Sequence, residues 1–173
     1  MVSYKPFICS DLLRFNEVNV DAFTETYGIS FYMSYMAKWP EYFLKAEDMD
    51  GKIVGYIMGK AEGTGENWHG HVTAVSVCPA YRHGGVAAKL MKYLEEVSEQ
   101  KECYFVDLFV RKSNTAAINF YKSLGYIVYR TVLDYYSGEP DEDAYDMRKA
   151  LSRDVEKTSV IPLKQPVRPE DIE

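Results

Sequence analysis

The chain has 173 residues, 47% of them hydrophobic and 14% aromatic, which is enough apolar surface for one core and excludes wholesale disorder. Lys and Arg number 20 against 26 Asp and Glu, a net charge of −6, and that balance excludes a sequence-independent grip on nucleic acid phosphates. The three cysteines, Cys9, Cys78 and Cys103, match neither a disulfide framework nor a zinc-site spacing and read as small buried hydrophobes in a reducing compartment.

Lys5 to Cys9 reads as a short strand, and Ser10-Asp11 then offers a cap to a helix along which Leu12, Leu13, Phe15, Val18 and Phe23 form a ragged apolar face. Tyr27-Gly28 ends it, and a second helix over Phe31 to Ala37 stops before Pro40. Glu41 to Glu47 and Lys52 to Lys60 form an antiparallel hairpin across the Asp50-Gly51 turn, and His69 to Val77 adds a third strand that Pro79 closes. From Gly85 to Gln100 the apolar residues Val86, Leu90, Leu94 and Val97 recur at helical spacing opposite Lys89, Lys92, Glu95 and Glu96.

Tyr104 to Val110 is a buried strand, Asn114 caps a short helix carrying Ala117, Phe120, Tyr121 and Leu124, and Gly125 ends that helix. Tyr126 to Tyr136 and Ala144 to Ala150 pair as a long hairpin around an acidic segment, Glu139, Asp141, Glu142, Asp143 and Asp146, read as a solvated loop. Residues 1–150 then form one domain, and 151–173, with Pro162, Pro166 and Pro169, an extended tail. No stretch approaches the roughly 20 apolar residues of a membrane span, and Met1 to Ser10 lacks a secretory pattern. A cytoplasmic chain is expected, without membrane or direct nucleic acid contact.

The order strand, glycine turn, helix in Val75-Ser76-Val77, Arg82-His83-Gly84-Gly85-Val86-Ala87 and Ala88 to Gln100 builds an anion site at a helix N-terminus. Small residues let backbone N–H groups approach phosphate oxygens, and Arg82 adds a positive charge. Walker A and dinucleotide-binding readings are removed, because neither a Gly-Lys-Ser/Thr ending nor a ribose-binding acid accompanies the turn.

In that context Arg82-x-x-Gly85-x-Ala87 after Val75-x-Val77-x-Pro79 resembles the pyrophosphate loop of the GCN5-related N-acetyltransferase superfamily. Asn114 to Tyr121 followed by Leu124-Gly125-Tyr126 is similar to its second acetyl-CoA motif. Thr24 to Gly28, Trp39 to Phe43, Tyr56 to Lys60, His69 to Thr73, Tyr135-Tyr136, Asp141 to Leu151 and Val167 to Glu173 resemble more narrowly the catalytic subunits of NatB-type N-terminal acetyltransferases. Ala87 in place of a frequent Gly, the extra Gly84 and a short loop at Gly63 to Asn67 are the departures.

The resemblance implies an α/β (α+β) fold: a mixed, mostly antiparallel sheet of about seven strands, splayed between the fourth and fifth, with about four helices. It implies acetyl transfer from acetyl-CoA, without a metal, to the α-amine of proteins starting Met-Asp, Met-Glu, Met-Asn or Met-Gln. The implied partners are a larger helical-repeat auxiliary subunit and the ribosome with its nascent chains. Acetylation of lysine or a small amine, and a non-catalytic acetyl-CoA-binding scaffold, stand as alternatives.

An α-amine with an unperturbed pKa of about 7.7–8.0 needs positioning, proton removal and oxyanion stabilisation rather than a strong base. Under the resemblance Tyr121 is the general acid to the CoA thiolate, and either His71 or a water held by Thr73 takes the ammonium proton. Val75, Val77, Arg82, His83, Gly84, Gly85, Val86, Ala87 and Asn114 hold acetyl-CoA. Glu25, Tyr27, Gly28, Thr73, Tyr135 and Tyr136 line the peptide site, where hydroxyl and imidazole donors select an acceptor at the second residue.

Overall fold

The structure, a computed structural model, describes residues 1–20 and 23–172. Asp21 and Ala22, inside the first expected helix, and Glu173, at the end of the expected tail, lie outside the described residues. The strands are β1 (Ser3–Pro6), β2 (Leu44–Glu47), β3 (Ile53–Glu62), β4 (His69–Val77), β5 (Phe105–Arg111), β6 (Ile127–Tyr136) and β7 (Glu142–Ala150). The α-helices are α1 (Ile29–Lys38), α2 (Val86–Gln100) and α3 (Thr115–Ser123). The seven strands follow the order β1-β2-β3-β4-β5-β7-β6 in one mixed sheet, mostly antiparallel, with β4 and β5 as its parallel pair.

Two compact units are distinguishable, Met1–Ala61 with Val72–Val97, and Glu62–His71 with Ser98–Glu173. The first holds an aromatic core. Phe7 stacks on Phe43 with ring centroids 4.3 Å apart, and Phe15 meets Tyr32 and Tyr56 edge-on at 5.3 Å. Beside it lies a buried ionic network in which Lys45 Nζ sits 2.8 Å from both Asp11 Oδ1 and Glu47 Oε1, with Lys5 and Arg14 at its rim.

That network explains why the first expected helix is instead two short 3-10 turns, Cys9–Leu13 and Asn16–Val18. The Asp11 carboxylate accepts from the Ile8 N–H at 2.8 Å and is anchored by Lys45, so Asp11 is fixed in the third position of the first turn by a partner far away in the chain instead of capping a continuing helix. Phe15 and Val18 are buried as their pattern required, while Leu13 faces solvent. Cys78 and Cys103 are buried, but Cys9 is exposed on the first turn, against the reading of all three as core hydrophobes.

In the second unit β7 pairs antiparallel with both β5 and β6. The acidic segment is not one solvated loop, because Glu142, Asp143 and Asp146 belong to β7. Asp146 is fully buried and accepts from Arg130 Nε at 2.9 Å and from Arg148 at 3.3 Å, so basic residues on the sheet account for acids that look unpaired in the sequence. Beyond Leu151 the chain returns along β6. The Leu163 and Val167 N–H groups donate to the Tyr129 and Thr131 carbonyls, Leu133 N–H donates to the Val167 carbonyl, and Val132 and Val167 form a parallel bridge. No helix among the described residues is long and apolar enough to cross a membrane.

Candidate active site

β4 ends at Val77, and a turn through Arg82 to Gly85 leads into α2. Val75 is half-buried and Val77 buried, whereas Arg82, His83, Gly84 and Gly85 are exposed. His83 and Gly85 both have left-handed backbone, with φ 63° and 79°. At Gly85 a Cβ would meet no protein atom within 4 Å, so the demand for glycine comes from φ and not from packing. The first helical bond of α2 runs from Lys89 N–H to the Gly85 carbonyl at 3.1 Å, which by helix geometry leaves the Val86, Ala87 and Ala88 N–H groups for an external acceptor. Arg82 is held to the turn by its Nε–H, which donates to the Val77 carbonyl at 3.0 Å.

The same unit carries an aromatic patch on α1 and the loop before it. Tyr27 stacks on Phe31 at 4.3 Å, and Phe31 leans on Tyr35 at 4.9 Å. The Thr73 hydroxyl donates to Tyr35 Oη at 2.8 Å, and the Tyr27 hydroxyl reaches the Thr73 carbonyl at 3.5 Å. Gly28 is the extended N-cap of α1 and Glu25 is exposed in the loop before it. Tyr27, Gly28 and Thr73 are therefore brought together, and Phe31 and Tyr35 join them as residues the sequence reading did not single out.

The second unit holds the other candidates. Asn114 caps α3, its Oδ1 accepting from the Ala117 N–H at 3.2 Å, which leaves its amide nitrogen available to a ligand. On α3, Tyr121 stands edge-on to Tyr126 with centroids 6.1 Å apart, and burial pushes its phenol up to about 12. Tyr135 stacks on Phe109 at 4.8 Å and meets Tyr136 edge-on at 5.0 Å, and the Arg111 guanidinium lies 4.1 Å over the Tyr136 ring.

His71 and Asp107 form the tightest polar contact of this group, Nδ1 to Oδ1 at 2.7 Å, with the His71 ring 5.5 Å from Phe109. Burial alone would raise the Asp107 carboxyl. The His71 charge and hydrogen bond, helped by His69 and Arg148, outweigh burial and hold it below the usual carboxylate range. Asp107 was missed as a site candidate, although a carboxylate inside the apolar run Phe105-Val106-Asp107-Leu108-Phe109-Val110 was a visible signal. No group of three or more metal-ligating side chains capable of holding an ion occurs among the described residues.

A model of the acetyltransferase (GNAT) family matches residues 12–126. The chain belongs to that family. This acetyltransferase is 60% identical to the N-terminal acetyltransferase B complex catalytic subunit NAA20 of Arabidopsis thaliana, across 100% of the chain and 99% of the relative. The crystal structure of Chaetomium thermophilum Naa20 in complex with a bisubstrate analogue matches it with a TM-score of 0.93 and 43% identity, over 97% of each chain. The NatB acetyltransferase complex bound to CoA and MES matches with a TM-score of 0.79 and 43% identity, over 86% of this chain and 99% of that one. The helix-end turn of this acetyltransferase, with small residues at Gly84, Gly85, Ala87 and Ala88 and the tethered Arg82, fits the pyrophosphate of acetyl-CoA.

Proposed function

We propose that this acetyltransferase moves the acetyl group of acetyl-CoA onto the α-amine of proteins that begin Met-Asp, Met-Glu, Met-Asn or Met-Gln. It does so at the ribosome, in the cytoplasm, together with a larger helical-repeat auxiliary subunit. The observation that carries this reading is the end-to-end likeness, 60% identity over the whole chain, to a NatB catalytic subunit.

Acetyl-CoA supplies the activated acetyl thioester when bound, and the remaining work falls to side chains and backbone of this chain. The Val86, Ala87 and Ala88 N–H groups and Arg82 hold the pyrophosphate, His83, Gly84 and Gly85 shape the turn, and Val75, Val77 and the Asn114 amide hold the pantetheine. Tyr121 donates its hydroxyl hydrogen toward the departing sulfur. His71 takes the ammonium proton on Nε2, the ring nitrogen that does not face Asp107.

Glu25, Tyr27, Gly28, Thr73, Tyr135 and Tyr136 receive the first residues of the peptide. Hydroxyl donors left without an acceptor penalise a second residue that cannot accept a hydrogen bond. A panel of Met-Asp, Met-Asn, Met-Lys and internal-lysine peptides, assayed with acetyl-CoA with and without the auxiliary subunit, tests the proposal. Met-Asp and Met-Asn are expected to turn over well and the other two poorly. Because the net charge of −6 repels acidic peptides at long range, the preference is expected to survive raised salt. Equal rates for all four, or a lysine preference, refute it.

A further inference from the structure

We infer that Asp107 is the positioning residue for His71: its carboxylate holds the imidazole as the Nδ1–H tautomer and so leaves the Nε2 lone pair to receive the substrate's ammonium proton. This rests on the reading of His71 as proton acceptor given above. An ionised carboxylate only accepts hydrogen bonds, so across the 2.7 Å contact Nδ1 is the donor. A neutral imidazole has one N–H, and once that hydrogen is committed to Asp107 the other nitrogen is bare.

Asp107 is held by a hydrogen bond at Oδ1 and by packing at Oδ2. Oδ2 packs 3.6 Å from His69 Nε2, outside hydrogen-bond distance, and His69 is itself immobilised, stacked on Phe105 at 4.7 Å with only 4° between the planes. Its Nδ1 sits 2.6 Å from the Asn67 carbonyl, which can only accept. That carbonyl is fixed by a tight loop whose Gly63 has φ 94° and lies so close that a Cβ there would come within 2.0 Å of the Asn67 oxygen. A chain of contacts from Gly63 through Asn67 and His69 thus reaches the second carboxylate oxygen.

The charged groups around the pair come from every strand of this unit. Glu62 on β3 lies 3.8 Å from His69 Nε2. Arg148 on β7 is the register partner of Asp107, and Asp146 on β7 and Arg130 on β6 form the ion pairs beside it. Asp107 is 4% exposed, and a buried carboxylate is costly unless it is paired and hydrogen-bonded, which His71 supplies at Oδ1. When His71 accepts a proton, the imidazolium forms 2.7 Å from a carboxylate already in place.

The test uses the full-length chain in two measurements. Long-range 1H–15N NMR at neutral pH is expected to show His71 protonated at Nδ1 and bare at Nε2, with that preference lost in Asp107→Asn. A wild-type His71 carrying its hydrogen on Nε2 overturns the inference, and this spectrum decides even if the variant does not fold. In steady-state kinetics Asp107→Asn and His71→Gln are each expected to lower kcat by about 10²-fold while the acetyl-CoA KM stays within about twofold. The double variant is expected to be no slower than His71→Gln, because the carboxylate acts through the imidazole. Losses that multiply, or a normal kcat in Asp107→Asn alongside a slow His71→Gln, overturn the positioning role alone. A normal kcat in His71→Gln overturns the reading of His71 as proton acceptor.

Discussion

Replacing Tyr121 by Phe removes one hydroxyl and keeps the ring that stands edge-on to Tyr126, so the change addresses chemistry rather than packing. On the proposed mechanism Tyr121, its phenol pushed up to about 12 by burial, would meet the CoA thiol, taken at the ordinary cysteine value of about 8.5. Complete proton transfer to a free thiolate would be uphill by roughly 3.5 units, about 5 kcal/mol. On that mechanism the hydroxyl would act as a hydrogen-bond donor to charge developing on sulfur, a role in which loss of one donor costs about 3–4 kcal/mol, or 10²- to 10³-fold in kcat.

Steady-state and pre-steady-state acetylation of a Met-Asp peptide by Tyr121→Phe is the assay, with circular dichroism as a control on folding. The expected result is a fall of about 10²-fold in kcat with little change in peptide KM. The sign of the pH dependence follows from the protonated phenol being the active form, so its contribution is present at low pH and lost only as pH rises through about 12. Wild-type kcat should therefore show no basic limb up to about pH 10 from this group. A near-normal kcat in Tyr121→Phe, or a basic limb near pH 9 that the substitution abolishes, would refute the reasoning.

Gly85→Ala places a Cβ at φ 79°, which should cost about 1–2 kcal/mol of stability and weaken acetyl-CoA binding only modestly, whereas Gly85→Val should weaken it strongly. Arg82→Glu should weaken it without lowering Tm, and unchanged calorimetric Kd values for Gly85→Val and Arg82→Glu would remove the phosphate-loop assignment. Lys45→Met leaves Asp11, 0% exposed, with the rim residue Arg14 as its remaining cationic partner among the described residues, and should destabilise the chain to urea by about 3–5 kcal/mol, with partial recovery in Lys45→Met/Asp11→Asn. Burial alone would raise the Asp11 carboxyl, but Lys45, the Ile8 amide and Arg14 hold it below its ordinary value, and Glu47 is lowered by Lys45 and Lys5. The network's contribution is thus full above about pH 5 and lost progressively as pH falls through the lowered values. Lys45→Met should flatten that acid limb of the stability curve, and an unchanged limb would count against the network.

The elements with unbroken periodicity were legible. His69–Val77 matches its expected bounds, α2 begins one residue later than expected, and α3 follows its asparagine cap. What escaped was set by partners far away in the chain. Asp11 reads locally as a helix cap but is recruited by Lys45, and Asp146 reads as one more acid in a loop until Arg130 and Arg148 meet it. At the candidate site, His71 and Thr73 were legible as polar residues on the strand His69 to Val77. Nothing local said that Asp107 would lie against His71, because that contact depends on the register of another strand.

The return of residues 163–167 along β6 bears on solubility. An edge strand offers a row of open donors and acceptors onto which any extended chain can add, and a covering segment removes the offer only if it does not repeat it. Here the cover is studded with Pro162 and Pro166, followed by Pro169, and a proline has no N–H to present to a further strand. The segment gives its Leu163 and Val167 donors inward to β6 and carries a depleted ladder on its outer side. It works as a terminating rung, satisfying the sheet beneath it while being a poor template for the next, so that growth of the sheet by recruitment from another molecule stops at this edge.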